Sequence, residues 1–343
     1  MNSKAICRIA GIAALLAVPS AQGNLTFNLI PEPGTPQFAI DAFTTAANLW
    51  SSVIANNVTI NIEIGYAALP PGIIGQAGSA FFETDYSSVV AALGTGRTSP
   101  DDFSSFAALQ PGTSFSRLIN HTSNNPNGAN SPTPYVDTMD RVGMTTANAK
   151  TLGLTGSSTN LDASIRFSSS FAFDFNHGPT INPGQIDFVG AAAHEIGHAL
   201  GFVSGVDDID SYNGIYPGPV FSDNLIDLFR YSAMSLGVGA GVTDYTADAR
   251  DKFFSVDGGM TAIASFSTGI TFGDGRQASH WKDNLGIGLM DPTVSFGERM
   301  DFTPNDYRLF DVIGYTIVPE PGVGAIVFSG IVMLALRRRS SGA

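Results

Sequence analysis

The chain has 343 residues, of which 43% are hydrophobic and 14% charged, and this is enough to bury a substantial core. Its 30 acidic and 17 basic residues give a formal net charge of −13. This charge disfavours nucleic-acid binding, because the phosphates must be neutralised by positively charged side chains. The single cysteine, Cys7, lies near the N-terminus, so a metal site must use His, Asp or Glu. Disulfide scaffolding and thiolate catalysis are excluded for the rest of the chain. The 38 glycines and 24 phenylalanines favour a loop-rich α+β fold over a helical bundle.

Residues 1–23 show the three parts of a secretory signal peptide. Lys4 and Arg8 supply a basic start, and residues 9–18 form an apolar run that is too short to span a bilayer. Small residues at 21–23 provide a cleavage site. We therefore expect signal peptidase to remove this segment and the remaining chain to be exported.

Residues 318–343 form a second processing signal. A Pro-Glu-Pro step at 319–321 precedes an apolar, candidate transmembrane segment at 322–336, and three arginines follow it. The segment is short for a permanent transmembrane helix, which needs ~20 residues, and the arginines are expected to stay cytoplasmic. This tail resembles the PEP-CTERM sorting signal of Gram-negative bacteria. The resemblance implies transient membrane contact, cleavage by an exosortase, and delivery of the body to the envelope, cell surface or extracellular matrix. A plain C-terminal anchor is the alternative.

The body between these signals, residues 24–317, carries the predicted elements. Residues 113–161 are polar and predict long loops, residues 163–175 alternate and predict one strand, and residues 224–233 predict an amphipathic helix. We divide the body into a sheet and helix part, an active-site helix, an insertion, and a part that closes the site: 24–187, 188–201, 202–279 and 280–317.

The helix predicted at 188–200 carries the motif HEIGH. His194 and His198 are four residues apart, so both imidazoles lie on one helix face and can bind one metal ion. Glu195 lies beside them, where it can take a proton from a water that zinc activates. The pattern predicts a zinc-dependent endopeptidase with Glu195 as general base and a protein or peptide substrate. The substrate is expected to pair with an edge strand, for which residues 163–175 are the candidate.

Gly201 follows the motif at the position where a glycine can end the helix and turn the chain back. The resulting pattern HExxHxxG resembles the metzincin peptidases, but Ser204 occupies the position of their usual third histidine. His280 and Trp281 come much later, and Met290 lies ten residues after His280. This arrangement resembles leishmanolysin and its bacterial exported relatives, although the cysteines of that family are absent.

The resemblance implies a metzincin-like α+β domain with a twisted mixed sheet, an active-site helix and a Met-turn. It also implies that His280 completes the zinc site of His194 and His198 and that Met290 lies beneath the metal. Asp207 and Asp208, after the helix, are alternative third ligands because a carboxylate can also bind zinc.

Other candidates carry simpler interpretations. His121 and His177 lie in polar segments and are expected to be surface histidines. Asp257 and the turn at 273–275 could bind calcium, although plain glycine turns explain them and no EF-hand pattern is present. Two other functions stay open: a non-catalytic, zinc-containing envelope or matrix protein, and a zinc hydrolase that acts on a non-peptide substrate.

Overall fold

The computed structural model describes residues 24–211 and 223–318. The predicted signal peptide at 1–23 and the predicted sorting tail from residue 319 onward, with its apolar segment at 322–336, lie outside the described residues, as does part of the insertion. Within the described ranges, no helix is long and apolar enough to cross a membrane.

Helices and strands alternate along the chain, and the α+β class is confirmed. The helices of the described residues are α1 (Gln37–Val53), α2 (Tyr86–Gly96), α3 (Pro100–Ala108), α4 (Thr146–Thr151), α5 (Phe188–Leu200), α6 (Val206–Ser211), α7 (Ala233–Val238) and α8 (Pro304–Val312). The strands are β1 (Thr26–Pro31), β2 (Thr59–Ala67), β3 (Gly75–Ser79), β4 (Phe81–Asp85), β5 (Phe115–Ile119), β6 (Tyr135–Met139), β7 (Arg141–Thr145), β8 (Ala163–Ser168), β9 (Phe173–Asp174), β10 (Ile186–Asp187), β11 (Asp223–Asn224), β12 (Arg230–Tyr231), β13 (Thr243–Asp244), β14 (Lys252–Phe254) and β15 (Ala264–Phe266).

The largest described sheet has the strand order β1-β2-β8-β3. β1, β2 and β8 run parallel, and β3 pairs antiparallel with β8 at the edge. Alternate side chains of β2 point into the core, where Ile60, Ile62 and Ile64 are fully buried. Helices α1 and α5 pack beside this sheet, and α5 also contacts β3. Helix α5 therefore lies next to an edge strand.

Helix α5, which carries the HEIGH motif, has the predicted limits. The carboxylate of Asp187 accepts a hydrogen bond from the backbone N–H of Gly190 and caps the start of α5. Gly201 ends the helix with a φ of 122°, a conformation that side-chain-bearing residues avoid. Trp50 of α1 donates its indole N–H to the carbonyl of Ala193 over 2.8 Å, which ties the two helices together. The helix is consequently held at both ends and along its buried face.

Three sequence predictions for the body are wrong in part. Residues 113–161 contain strands β5, β6 and β7 and helix α4 in addition to loops. Residues 163–175 form two strands, and the first of them, β8, lies inside the sheet and not at its edge. Within residues 224–233, Leu225–Phe229 form a short 3-10 helix between β11 and β12 in place of the amphipathic helix, and all five residues are buried, so no polar face is exposed.

Candidate metal centre

Three histidines converge at the end of α5. His194 and His198 are presented by the helix, and His280 approaches from the loop that follows β15. The Nε2 atom of His198 lies 3.1 Å from that of His194 and 3.2 Å from that of His280. Zinc–nitrogen bonds of ~2.0–2.1 Å in a tetrahedral site place ligand nitrogens about 3.3 Å apart. Both distances are therefore compatible with one metal ion of the size of zinc between the rings.

The outer nitrogen of each ring is held by a backbone carbonyl. His194 Nδ1 donates to Leu289 O over 2.9 Å, and His198 Nδ1 donates to Phe202 O over 2.7 Å. His280 Nδ1 faces Gln277 O at 3.3 Å. These contacts select the tautomer that carries its proton on Nδ1, so the lone pair of each Nε2 points towards the other two rings.

Burial keeps the three imidazoles neutral. Desolvation lowers the pKa of His194 to about 4 and that of His198 to about 3, where the neighbouring His194 adds to the effect. Desolvation, followed by the two nearby histidines, lowers the pKa of His280 well below its usual value. Neutral imidazole is the form that binds metal, so the three histidines need not lose a proton before binding a metal at neutral pH. Among the described residues, these histidines form the one group of three or more His, Cys, Asp or Glu side chains close enough to hold a metal.

Glu195 lies beside the histidines in the wall of an open cleft. The cleft has a volume of about 610 Å³ and is lined by Glu195, the three histidines and the residues of β3. Burial raises the pKa of the Glu195 carboxyl to about 7. The carboxyl group therefore shares one solvent-accessible space with the three Nε2 atoms. A second cavity of about 400 Å³ meets the cleft at His194 and Glu195, and its far wall includes Ile74, Phe167 and Met300.

Met290 lies under the helix that carries the histidines. Its side chain is fully buried, and the absent side chain of Gly197 leaves room for its sulfur. The backbone around it is fixed, because Trp281 N donates to Met290 O and the preceding residue, Leu289, accepts the hydrogen bond of His194. Met290 therefore packs against α5 at Gly197, between His194 and His198 in the chain.

The structure places the alternative ligands elsewhere. The Asp207 carboxylate accepts hydrogen bonds from the backbone of Ala278 and Ser279, and neither Asp207 nor Asp208 belongs to the histidine cluster. The carboxylates proposed for calcium close local turns: Asp257 accepts from Thr261 N. Asp274 does the same in its own loop, where it accepts from Thr268 N and Arg276 N.

The two other histidines are not on the surface, and the prediction for them is wrong. His121 is 6% exposed and stacks on the ring of Phe272 at 4.0 Å between centroids. The side chain of His177 is 8% exposed and contacts the Asp187 carboxylate that caps α5. Their polar sequence surroundings did not reveal these tertiary contacts.

Two functional features escaped sequence reasoning. The edge strand at the cleft, Gly75–Ser79, is rich in glycine and has no alternation of apolar and polar residues. The buried pair of Asp227 and Arg230 behind His280 is contributed by a segment that the sequence placed in an amphipathic helix. A Gly-rich stretch shortly before the regular strand at 81–85 was the one local signal that could have marked the edge strand.

Comparison with known proteins finds no matching family model, no similar curated protein and no similar solved structure.

Proposed function

We propose that this chain is an exported zinc-dependent endopeptidase of the metzincin type, related to leishmanolysin. The observation that carries the proposal is the convergence of three histidine Nε2 atoms beside Glu195 in a cleft whose wall is an edge strand. Three protein ligands leave one coordination position open, which is typical of catalytic zinc sites, whereas structural sites use four.

His194, His198 and His280 would hold one zinc ion through their Nε2 atoms. Bound there, zinc would supply Lewis-acid polarisation of a carbonyl and would lower the pKa of a water molecule. The protein contributes neutral imidazoles, fixed tautomers and a buried floor at Met290, so the ligands need little rearrangement on binding.

Glu195 is placed to move the proton of the reaction. Its carboxylate would accept a proton from the attacking water as the new C–O bond forms, and would pass it to the amine nitrogen as the C–N bond breaks. The side chain leaves the same helix face as the ligands but is not part of their cluster, so it is free for this role.

Strand β3 supports an extended peptide as substrate. The hydrogen bonds from Ser168 N to Ile74 O and from Ala80 N to Asp162 O flank the strand on its β8 side. In an antiparallel pair, bonded and non-bonded positions alternate, so the backbone N–H and C=O groups of Gly75, Ala77 and Ser79 point away from β8. An extended peptide can pair with these groups next to Glu195.

The metzincin assignment combines several features of the structure. A mixed sheet ends in an antiparallel edge strand, α5 presents two ligands and ends at Gly201, and Met290 lies below them. The departure is Ser204 in place of the usual third histidine, with His280 as ligand after an insertion. The predicted signal peptide and sorting tail support export to the envelope, surface or matrix of a Gram-negative bacterium.

The proposal is tested by metal content and casein cleavage of the exported protein. The variant Glu195→Gln keeps the size of the side chain but cannot take the proton, so it should bind about one zinc per chain while turnover falls at least about 100-fold. Glu83→Gln is the matched control, because Glu83 lies on the surface in an ion pair with Arg141. His280→Ala should lower zinc content sharply.

Each contrary result would refute a different part of the proposal. Full activity of Glu195→Gln would refute the general-base role. Unchanged zinc in His280→Ala would move the third ligand to Asp207 or Asp208. Zinc without cleavage of casein or of a peptide and ester panel would favour a structural zinc site, and cleavage of esters alone would favour a non-peptide hydrolase. Absence of zinc from the wild-type protein would refute the site itself.

A further inference from the structure

The segment that carries His280 is held from behind by the half-buried carboxylate of Asp207. Asp207 Oδ1 accepts the backbone N–H of Ala278 over 2.6 Å, and Oδ2 accepts the N–H of Ser279 over 3.0 Å. The hydroxyl of Ser279 also donates to this carboxylate. Three donors from two consecutive residues thus converge on Asp207, immediately before His280 in the chain.

The same segment is tied to the end of the active-site helix. Ser204 N donates to Ser279 Oγ over 2.8 Å, and Ser204 Oγ donates to Asp227 Oδ1 over 2.6 Å. Arg230 pairs with Asp227 and donates from Nη2 to Ala278 O over 2.6 Å. These side chains form a closed polar network, so the backbone before His280 is fixed on both its N–H and its C=O sides.

We propose that Asp207 is a positioning residue, which holds residues 278–280 so that the His280 imidazole meets those of His194 and His198. This proposal rests on the metal site of the proposed function. In it, Asp207 supports the backbone of a ligand and is not itself a ligand. Ser204, which stands where other metzincins carry their third histidine, joins the network that holds the substitute ligand.

The direct tie of the His280 imidazole is weak, so the hydrogen bonds that hold the backbone before it matter for its position. His280 Nδ1 lies 3.3 Å from Gln277 O, which is longer than the corresponding contacts of 2.9 Å for His194 and 2.7 Å for His198. His194 and His198 are also anchored by α5, whereas His280 lies in a loop. Hydrogen bonds to an ionised carboxylate are stronger than neutral ones, so Asp207 adds rigidity to this loop beside the bond that Ser267 N donates to His280 O over 3.0 Å.

The chain offers a closely matched control in Asp210. Asp210 lies on the same helix, α6, is 3% exposed, and accepts the backbone N–H groups of Thr271 and Phe272 over 2.8 and 2.7 Å. It therefore holds the same loop by the same chemistry, but at residues remote in sequence from His280. Loss of either carboxylate should lower stability, and loss of Asp207 alone should affect the metal.

The experiment measures the Zn²⁺ dissociation constant of the metal-stripped, full exported protein by competition with a chromophoric chelator. Asp207→Asn should bind Zn²⁺ about 10- to 100-fold more weakly, as expected for loss of a partner that orients a ligand. Asp210→Asn should stay within about twofold of wild type on the same principle, although the melting temperatures of both metal-free variants fall. The visible spectrum of the Co²⁺-loaded protein should change in Asp207→Asn alone.

A milder variant covers the case in which Asp207→Asn does not fold. Ser279→Ala removes the hydroxyl that joins Ser204 to Asp207 and should weaken Zn²⁺ binding about threefold or more. Folded variants at Asp207 or Ser279 that bind Zn²⁺ like wild type would overturn the inference, as would an equal loss in Asp210→Asn. A wild-type protein that binds no Zn²⁺ would instead overturn the metal site of the proposed function.

Discussion

Gly197 lies between the two histidines of α5, and its missing side chain leaves room for Met290. A Cβ atom built at position 197 would lie 2.5 Å from Met290 Sδ and 3.2 Å from both Met290 Cε and Trp50 Cζ2. Carbon atoms in contact are normally ~3.5–4.0 Å apart. The substitution Gly197→Ala therefore tests whether the helix rests directly on the methionine.

Two opposing effects set the free energy of unfolding of this variant. Alanine is favoured over glycine in a helix interior by about 1 kcal/mol. Overpacking of a filled core costs about 1–3 kcal/mol, and Met290 and Trp50 are both buried. The packing cost outweighs the helix preference, so we expect Gly197→Ala to destabilise the protein by about 1 kcal/mol.

The assay is urea unfolding of the metal-stripped protein, so that zinc binding does not add to the measured stability. A Met290→Ala background removes both opposing atoms of Met290 and leaves only Trp50 Cζ2, at 3.2 Å from the new Cβ. Gly197→Ala should then become neutral or stabilising by up to about 1 kcal/mol. Stabilisation by Gly197→Ala in the presence of Met290 would refute the reasoning, because it is the result for a helix face with free space above it.

Two further predictions concern the edge strand and the acid stability. Ala77→Pro removes the N–H that points from β3 towards the cleft, so kcat/KM for peptides should fall about fivefold to tenfold with unchanged zinc content, whereas Ala77→Ser keeps the donor and should behave like wild type. Burial opposes ionisation of Asp248, but Lys252 and Arg250 outweigh it and lower its pKa to about 2, below its ordinary value of 3.8. Its contribution of about 2 kcal/mol is therefore present above pH ~4 and is lost as the pH falls towards 2, and Asp248→Asn should flatten the fall in urea midpoint across this interval. An equally steep fall in the variant would assign the acid sensitivity to other carboxylates.

The active-site helix could be predicted because its information is local. Periodicity and composition predicted Phe188–Leu200 with its limits, and the spacing of His194 and His198 places both rings on one face whatever the rest of the chain does. Gly201 was recognisable since a helix end in a positive φ conformation strongly favours glycine. His280 was chosen by resemblance and by the small number of histidines, and the structure brings it to the other two.

The elements that failed are those whose conformation depends on distant partners. The segment at 224–233 has apolar residues at helical spacing, but Asp227 accepts hydrogen bonds from Ser204 and Gly205, and Arg230 donates to the carbonyl of Ala278. The side chains of strand β3 do not predict a strand, because two of its five residues are glycine. The segment is extended because it pairs with β8. Residues 163–175 do predict a strand, because β8 is an internal strand and its side chains pack on the core.

The sequence by itself determined the chemistry of the site: two imidazoles and a carboxylate on one helical turn, no thiols, and a third histidine within reach only if the chain folds back. Tertiary structure alone decided which strand borders the cleft, which groups hold the backbone before His280, and that the Asp207 carboxylate lies outside the histidine cluster. The physical reason is the range of the interactions involved. Helix periodicity and capping act over a few residues, whereas sheet edges and buried polar networks are created by residues from distant parts of the chain.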